Sequence, residues 1–497
     1  MKIIKIIAFF SLVILISSSC KKNLLDVENL NDPDFSKAIS NGEDVENVAS
    51  GLFNTIYKGE HSVSGLAPVL AVSADNVSCS WGNFGMRDMS YEPRNNGWNN
   101  SPSYSNKNLT KYLFDRMYSA IGTASSLLKA METGIQVGEG GSGNQRVKAF
   151  SKFAQGVGYG NLALVFDRAF LVDEKVTVEE KLESAVPYNE VAIGALKYLD
   201  EAIALSSGTF TIPKEWLGTS TDYSSSEFKK LCNTMAARIM AYTPRNRTEL
   251  AAVNWPKVKA YADAGITKDF TIIQDGAVKW YDEASDYLLS DGWGITDMYV
   301  VNMMDPVTQP QHWTDNASFP YPPKSTNPID KRLNTDYEYV PSNWFQAARG
   351  YYHFSSYRNA RYDEMYVTAK GPKPQIMLSE NDMLRAEARA YTNDLAGAAA
   401  IINAGTRKTR GAMPDVAPVL ADIVKAMHHE RHVEMYTAGM GLQFFEMRKL
   451  NLLQKGTPLH FPLAAGTLET FGIPLPFYTF GYIANADGKG TSNGGWR

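Results

Sequence analysis

A mainly α-helical fold carrying one loop-rich irregular lobe is predicted by three observations. Apolar residues recur at helical spacing through most of the chain. Alanines and glycines fall where such helices would cross one another. Between residues 293 and 366 the helical spacing stops, and 15 aromatic residues crowd into 74 positions, about 20% against 11% for the whole chain. Residues 42–265 and 378–453 are therefore expected to form a helical scaffold around a lobe at 266–377, followed by an irregular segment at 454–497.

At the N-terminus, Lys2 and Lys5 precede an apolar run at 6–16 and three serines. Residues 1–19 thus read as a secretory signal peptide, too short to span a membrane as a mature helix. The small residues before Cys20 resemble the acylation site of bacterial lipoproteins, although Ser17 stands where the strict motif has Leu. Cys20 is the expected lipidation point and residues 20–41 a polar tether; at roughly 0.8 kcal/mol per buried methylene, more than one acyl chain holds a protein at a bilayer stably. Without Lys2 and Lys5, 47 basic side chains face 53 acidic ones. That balance and the lack of a basic stripe exclude nucleic acid as a partner. Cys79 and Cys232 are too few for a disulfide framework and read as two buried thiols, with one bridge as the alternative.

Val45, Val48, Leu52 and Ile56 predict a helix over 43–57, and two long helices follow at 109–131 and 146–170. The second carries Gly156, Gly158 and Gly160. Asn161 occupies the last glycine position of G-x-G-x-x-G and no strand precedes it, so these small residues predict close helix packing. Further helices are expected at 187–205, 227–242 and 255–264. Such alternating amphipathic pairs resemble tetratricopeptide repeats, with the 34-residue period degenerate and interrupted.

Two irregular stretches hold the candidate binding residues. Residues 70–104 set Trp81 and Trp98 among asparagines, with Asp75, Asn76, Asn83 and Arg87 as polar neighbours. A pyranose stacks its C–H face on an aromatic ring while its hydroxyls require amide, carboxylate or guanidinium partners, so this mixture is the one a sugar needs. Asn, Gly and Pro also simply make turns over tryptophans that fill a core. In the lobe, Trp293, Trp313, Tyr321 and Trp344 are the candidate stacking platforms, on loops whose prolines and asparagines argue against long strands. The alternative is that half of these rings fill the lobe's interior.

The stretch 421–453 places Ile423, Met427, Glu430 and Glu434 on one helical stripe. Carboxylates on an apolar stripe need cations. Arg431, and Arg448 beyond a Gly439-Met440-Gly441 turn, are the expected partners. Paired carboxylates also serve glycosidases, but there they flank a scissile bond from opposite sides, so Glu430 and Glu434 read as structural. His428 and His432 lie one turn apart. Val433 stands where H-E-x-x-H requires His, and a solvated or capping role is expected for both. Residues 378–411 predict a helix pair, opened by a capping box of Ser379 and Asp382. No nucleophile elbow, zinc signature or phosphate loop occurs, and no metal or cofactor is expected.

Glu430-Arg431-His432-Val433-Glu434, then Gly441, Phe444-Phe445, Met447-Arg448 and Leu450, resemble the ER-x-x-E-L...EG-x-R-x-x-D-L-x-R signature of the SusD/RagB family of surface nutrient-binding lipoproteins. Met435 replaces the family's Leu, and Glu446 stands where the family has Asp. The run Arg385 to Tyr391, with Ala398-Ala399, Asn403, Arg407 and Arg410-Gly411, resembles the helix pair that precedes this signature. The resemblance implies a SusD-like helical fold with tetratricopeptide-type pairs. It implies a lipid-anchored protein on the extracellular face of the outer membrane of a Gram-negative bacterium, not an enzyme. Such a protein binds oligosaccharides, partly through the segment ahead of the first repeat helices, and delivers them to a TonB-dependent SusC-like transporter. A peptide ligand and, less favoured, a glycan hydrolase remain as alternatives.

Overall fold

The computed structural model describes residues 39–480 apart from 91–93, 95–97, 177–181, 291, 311–322, 343 and 347–352. Its mass is helical: α1 (Gly42–Ala49), α2 (Leu52–His61), α3 (Asn108–Glu132), α4 (Asn144–Val165), α5 (Tyr188–Leu205), α6 (Ser225–Tyr242), α7 (Trp255–Asp263), α8 (Leu378–Tyr391), α9 (Leu395–Ala404), α10 (Leu420–Val433) and α11 (Leu442–Lys449). The single helix expected over 43–57 is broken at Ser50 and Gly51 into α1 and α2. Asn41 caps α1 by accepting the amides of Glu43 and Asp44, and Ser224 with Glu227 forms a capping box on α6. The box expected from Ser379 and Asp382 does not form. Ser379 lies inside α8, and it is Asp269 from the lobe that accepts the Leu378 amide, at 2.7 Å.

Helix α4 is the axis of the scaffold, packed against α3, α5 and α6. Its three glycines each face a different neighbour. A Cβ on Gly156, Gly158 or Gly160 would lie under 3.0 Å from Leu199, Ile121 or Ile239 respectively, so each absent side chain sets one helix-to-helix approach. Cys79 and Cys232 are both free and buried, and burial pushes the Cys79 thiol up to about 12.

The irregular lobe leaves and rejoins the scaffold through one ladder. Strand β2 (Phe270–Asp275) runs antiparallel to β4 (Lys370–Ile376), from Lys370 opposite Asp275 to Ile376 opposite Phe270. The prolines at 372 and 374 are tolerated because the sheet has only two strands and each keeps an open edge. A second, shorter pair, β1 (Val77–Ser78) and β3 (Ile295–Thr296), ties the chain after the short helix Ala67–Ser73 to the lobe. No helix among the described residues is long and apolar enough to cross a membrane.

Helices α10 and α11 turn at Gly439 and Gly441, whose φ values of 68° and 70° suit glycine. Their charges are paired differently from the sequence-based expectation. Glu430 and Glu434 are balanced by Arg332, which donates to Glu430 at 2.7 and 2.9 Å and to Glu434 at 3.1 Å, while Arg361 and Arg410 complete Glu434. Arg431 instead meets Glu387 at 2.7 Å. Arg448 meets no carboxylate among the described residues: it donates to the carbonyls of Leu164, Leu459 and Tyr242. Nor are His428 and His432 solvated or capping, because both are buried within α10.

Candidate functional site

The β1–β3 pairing sets Val77 opposite Thr296 and Ser78 opposite Ile295, so the chain just after β1 meets the chain just before β3. Ser78 donates its hydroxyl to Asp297 at 2.6 Å and pins the junction. Four rings gather there. Trp81 meets Trp293 edge-on, with centroids 5.7 Å apart; Trp293 stacks on Tyr287 at 5.2 Å and 15°; Phe84 sits edge-on to Tyr287 at 5.1 Å. Edge-to-face and stacked contacts at these distances stabilise such a cluster. The exposed Asn83 donates its amide to the Tyr287 hydroxyl at 2.8 Å, and burial pushes that hydroxyl up to about 12. Phe84 holds a left-handed backbone, φ 53° and ψ 31°, unusual for an aromatic residue.

Trp293 is 38% exposed and Trp81 half-buried, so ring surface is open to solvent. Trp344 is 67% exposed, and the chain two residues on returns to the same place, where the Gln346 amide donates to Ser80 at 2.8 Å. Arg87 is half-buried on the short helix Met86–Ser90 that follows Phe84.

Other expected site residues lie elsewhere. Trp98, expected as a stacking platform, is 1% exposed, with its ring held edge-on by Tyr104 and Phe461 at 5.2 and 5.0 Å. It has no face to offer a ligand. Asp75 and Asn76, expected as polar partners, are buried as well. Asp75 accepts from Arg94 and from Gln454, both at 2.6 Å, and Asn76 lies against His432. Trp313, Tyr321 and Cys20 lie outside the described residues. Tyr287 joins the cluster without having been singled out in the sequence. It sits on the short helix Glu283–Leu289, where an aromatic among acids, six residues before a tryptophan, was the available signal.

A separate cleft of about 1460 Å³ opens beside α7, α8 and α10, lined by Trp255, Tyr391, Arg407, Tyr299 and His428 among others. Trp255 is spent inside its wall, stacked on Tyr391 at 4.6 Å and 21°.

Helix pairs around a central axis, with a clamped lobe and an aromatic surface where loops converge, define a repeat-type scaffold that displays a loop-borne face. The fold is SusD-like, as the α10–α11 signature led one to expect. A SusD superfamily protein from Bacteroides thetaiotaomicron superposes with a TM-score of 0.60 at 12% identity, covering 91% of this chain and 95% of that one. The surface glycan-binding protein A from Bacteroides uniformis gives 0.60 at 13% identity, over 88% and 99%. A SusD-like carbohydrate-binding protein from Bacteroides vulgatus gives 0.55 at 15%, over 84% of each. At such identities the likeness concerns the fold. No family model matches the sequence, and a comparison with curated proteins finds no match either.

Proposed function

We propose that this protein captures oligosaccharides on the surface formed by Trp81, Asn83, Phe84, Tyr287 and Trp293, with Trp344 beside it, and does not cut them. The observation that carries this reading is the meeting of Trp81 and Trp293, far apart in sequence, as a partly open ring cluster bearing an exposed amide. Ring faces suit the C–H faces of sugars, and Asn83 and Arg87 suit their hydroxyls. Several solved proteins of the same fold are described as carbohydrate- or glycan-binding, which favours a sugar over a peptide. Against hydrolysis, Glu430 and Glu434 are buried and paired to arginines, so neither is poised as acid or nucleophile. The protein would be held by lipid at Cys20 on the outer face of the outer membrane and pass its ligand to a TonB-dependent SusC-like transporter.

Isothermal titration against a panel of oligosaccharides tests the site. With each ring contributing on the order of 1 kcal/mol or more beyond area burial, Trp81→Ala and Trp293→Ala should each weaken binding about tenfold. Unchanged affinity in both variants would remove the site from consideration, and sugar fragments released on prolonged incubation would favour the hydrolase.

A further inference from the structure

We propose that His428, His432 and Glu446 form a site for one transition-metal dication of the zinc class, reached through the cleft that His428 lines. Each residue presents one ligating atom, and the three atoms lie within 4.8 Å of one another. Two come from successive turns of α10, their rings 4.4 Å apart, and the third from the facing helix α11. Glu446 Oε2 stands 2.7 Å from His428 Nδ1 and 3.9 Å from His432 Nε2.

The second observation is what burial leaves unmet. His432 and Glu446 are fully enclosed, yet among the described residues His432 Nε2 and Glu446 Oε1 find no hydrogen-bond partner. A buried polar atom without a partner costs about 1–3 kcal/mol, so two in one pocket call for a reason. Arg431 approaches Glu446 Oε1 only at 3.7 Å, its charge being directed to Glu387 at 2.7 Å. A tetrahedral dication with bonds of about 2.0–2.2 Å sets its donors roughly 3.4 Å apart, so ligand shifts of under about 1 Å bring the three atoms onto it.

The surroundings supply the orienting contacts a metal-bound imidazole needs. The Tyr299 hydroxyl bonds His428 Nε2, which leaves Nδ1 as the inward donor. The Asn76 Nδ2 lies 3.5 Å from His432 Nδ1 and donates to the His432 carbonyl at 3.4 Å, tying the side of the ring away from Glu446. The cleft lined by Tyr299 and His428 runs beside the site and is the path by which an ion and a water as fourth ligand would enter. Two imidazoles and a carboxylate select zinc or cobalt over magnesium or calcium.

The test uses the full mature chain, stripped by chelator and titrated with Zn²⁺, Co²⁺, Mg²⁺ and Ca²⁺. One zinc per chain should bind with a dissociation constant below about 10 μM and raise Tm by a few degrees, reversibly with chelator. Cobalt should give the visible bands of a four-coordinate site with nitrogen donors, and magnesium and calcium should do nothing. His428→Gln, whose side chain reaches the cleft wall, should lose zinc affinity at least about 100-fold while its far-ultraviolet circular dichroism stays native. If that variant does not fold, X-ray absorption of the zinc-loaded native protein decides by counting imidazoles. No zinc uptake, equal uptake in folded His428→Gln, or a shell of oxygen alone overturns the site. The oligosaccharide surface uses none of these residues, so the two proposals stand or fall separately.

Discussion

Trp98 and Trp293 carry the same side chain into opposite surroundings. Trp98 fills a core position between Tyr104 and Phe461, whereas Trp293 lies on Tyr287 with one side towards solvent. Trp98→Ala should therefore destabilise the fold by about 3–5 kcal/mol, read as a lower urea midpoint. Trp293→Ala should cost less than about 1 kcal/mol of stability while weakening sugar binding. Equal midpoint shifts in the two variants would refute this division. Composition could not make it, since both tryptophans stand in polar loop sequence and the contacts that decide come from elsewhere in the chain. Asp75 misled in the same way. An acid near Trp81 reads as a hydroxyl partner, but Asp75 is buried and its Oδ1 already accepts from both Arg94 and Gln454. Trp81, Asn83 and Trp293 could be proposed from rings and amides standing together in polar loop sequence; Tyr287 could not, because on a short helix it resembles an ordinary core-facing residue.

At the scale of elements, the helices were legible because their spacing is local. Helices α3, α4, α5 and α6 lie within a few residues of where apolar periodicity put them. The partners of the α10 carboxylates were not, because an ion pair across a fold leaves no trace in spacing. Arg332 comes from the lobe, and with Asp330 it welds that lobe to α10: all four charged side chains, Asp330, Arg332, Glu430 and Glu434, are excluded from solvent. Such a cluster stabilises little against an apolar replacement of the whole, but losing one member strands the others. Arg332→Met leaves three carboxylates in one buried space and should cost about 3–5 kcal/mol by chemical denaturation. A loss under about 1 kcal/mol would mean that Arg361 and Arg410 alone balance them.

Across the whole molecule, buried carboxylates hold lobe and scaffold together and set how the protein meets acid. Burial raises Asp282, but His61 and Lys373 outweigh it and hold the group well below the usual carboxylate range; Asp330 is held low in the same way by His429 and Arg332. Asp305, on the lobe, is kept at about 2 against its own desolvation by the hydroxyls of Ser325 and Thr308. Each of these groups has a folded value below its unfolded one. Its contribution is therefore complete above the unfolded carboxylate range near pH 4 and is lost as pH falls through the folded value, because the unfolded chain takes up protons that the native state refuses. Asp297 and Asp167, raised by burial, run the other way and soften the loss. Unfolding midpoints should thus fall between about pH 5 and pH 2. The proposed sugar surface offers ring faces and an amide that do not titrate there, so on that proposal affinity should stay flat from about pH 8 to pH 5 and vanish only with the fold. Titration calorimetry beside urea melts over that span separates the two. A drop in affinity above pH 5 with the midpoint unmoved would show that an ionising group, and not the Trp81–Trp293 surface alone, holds the ligand.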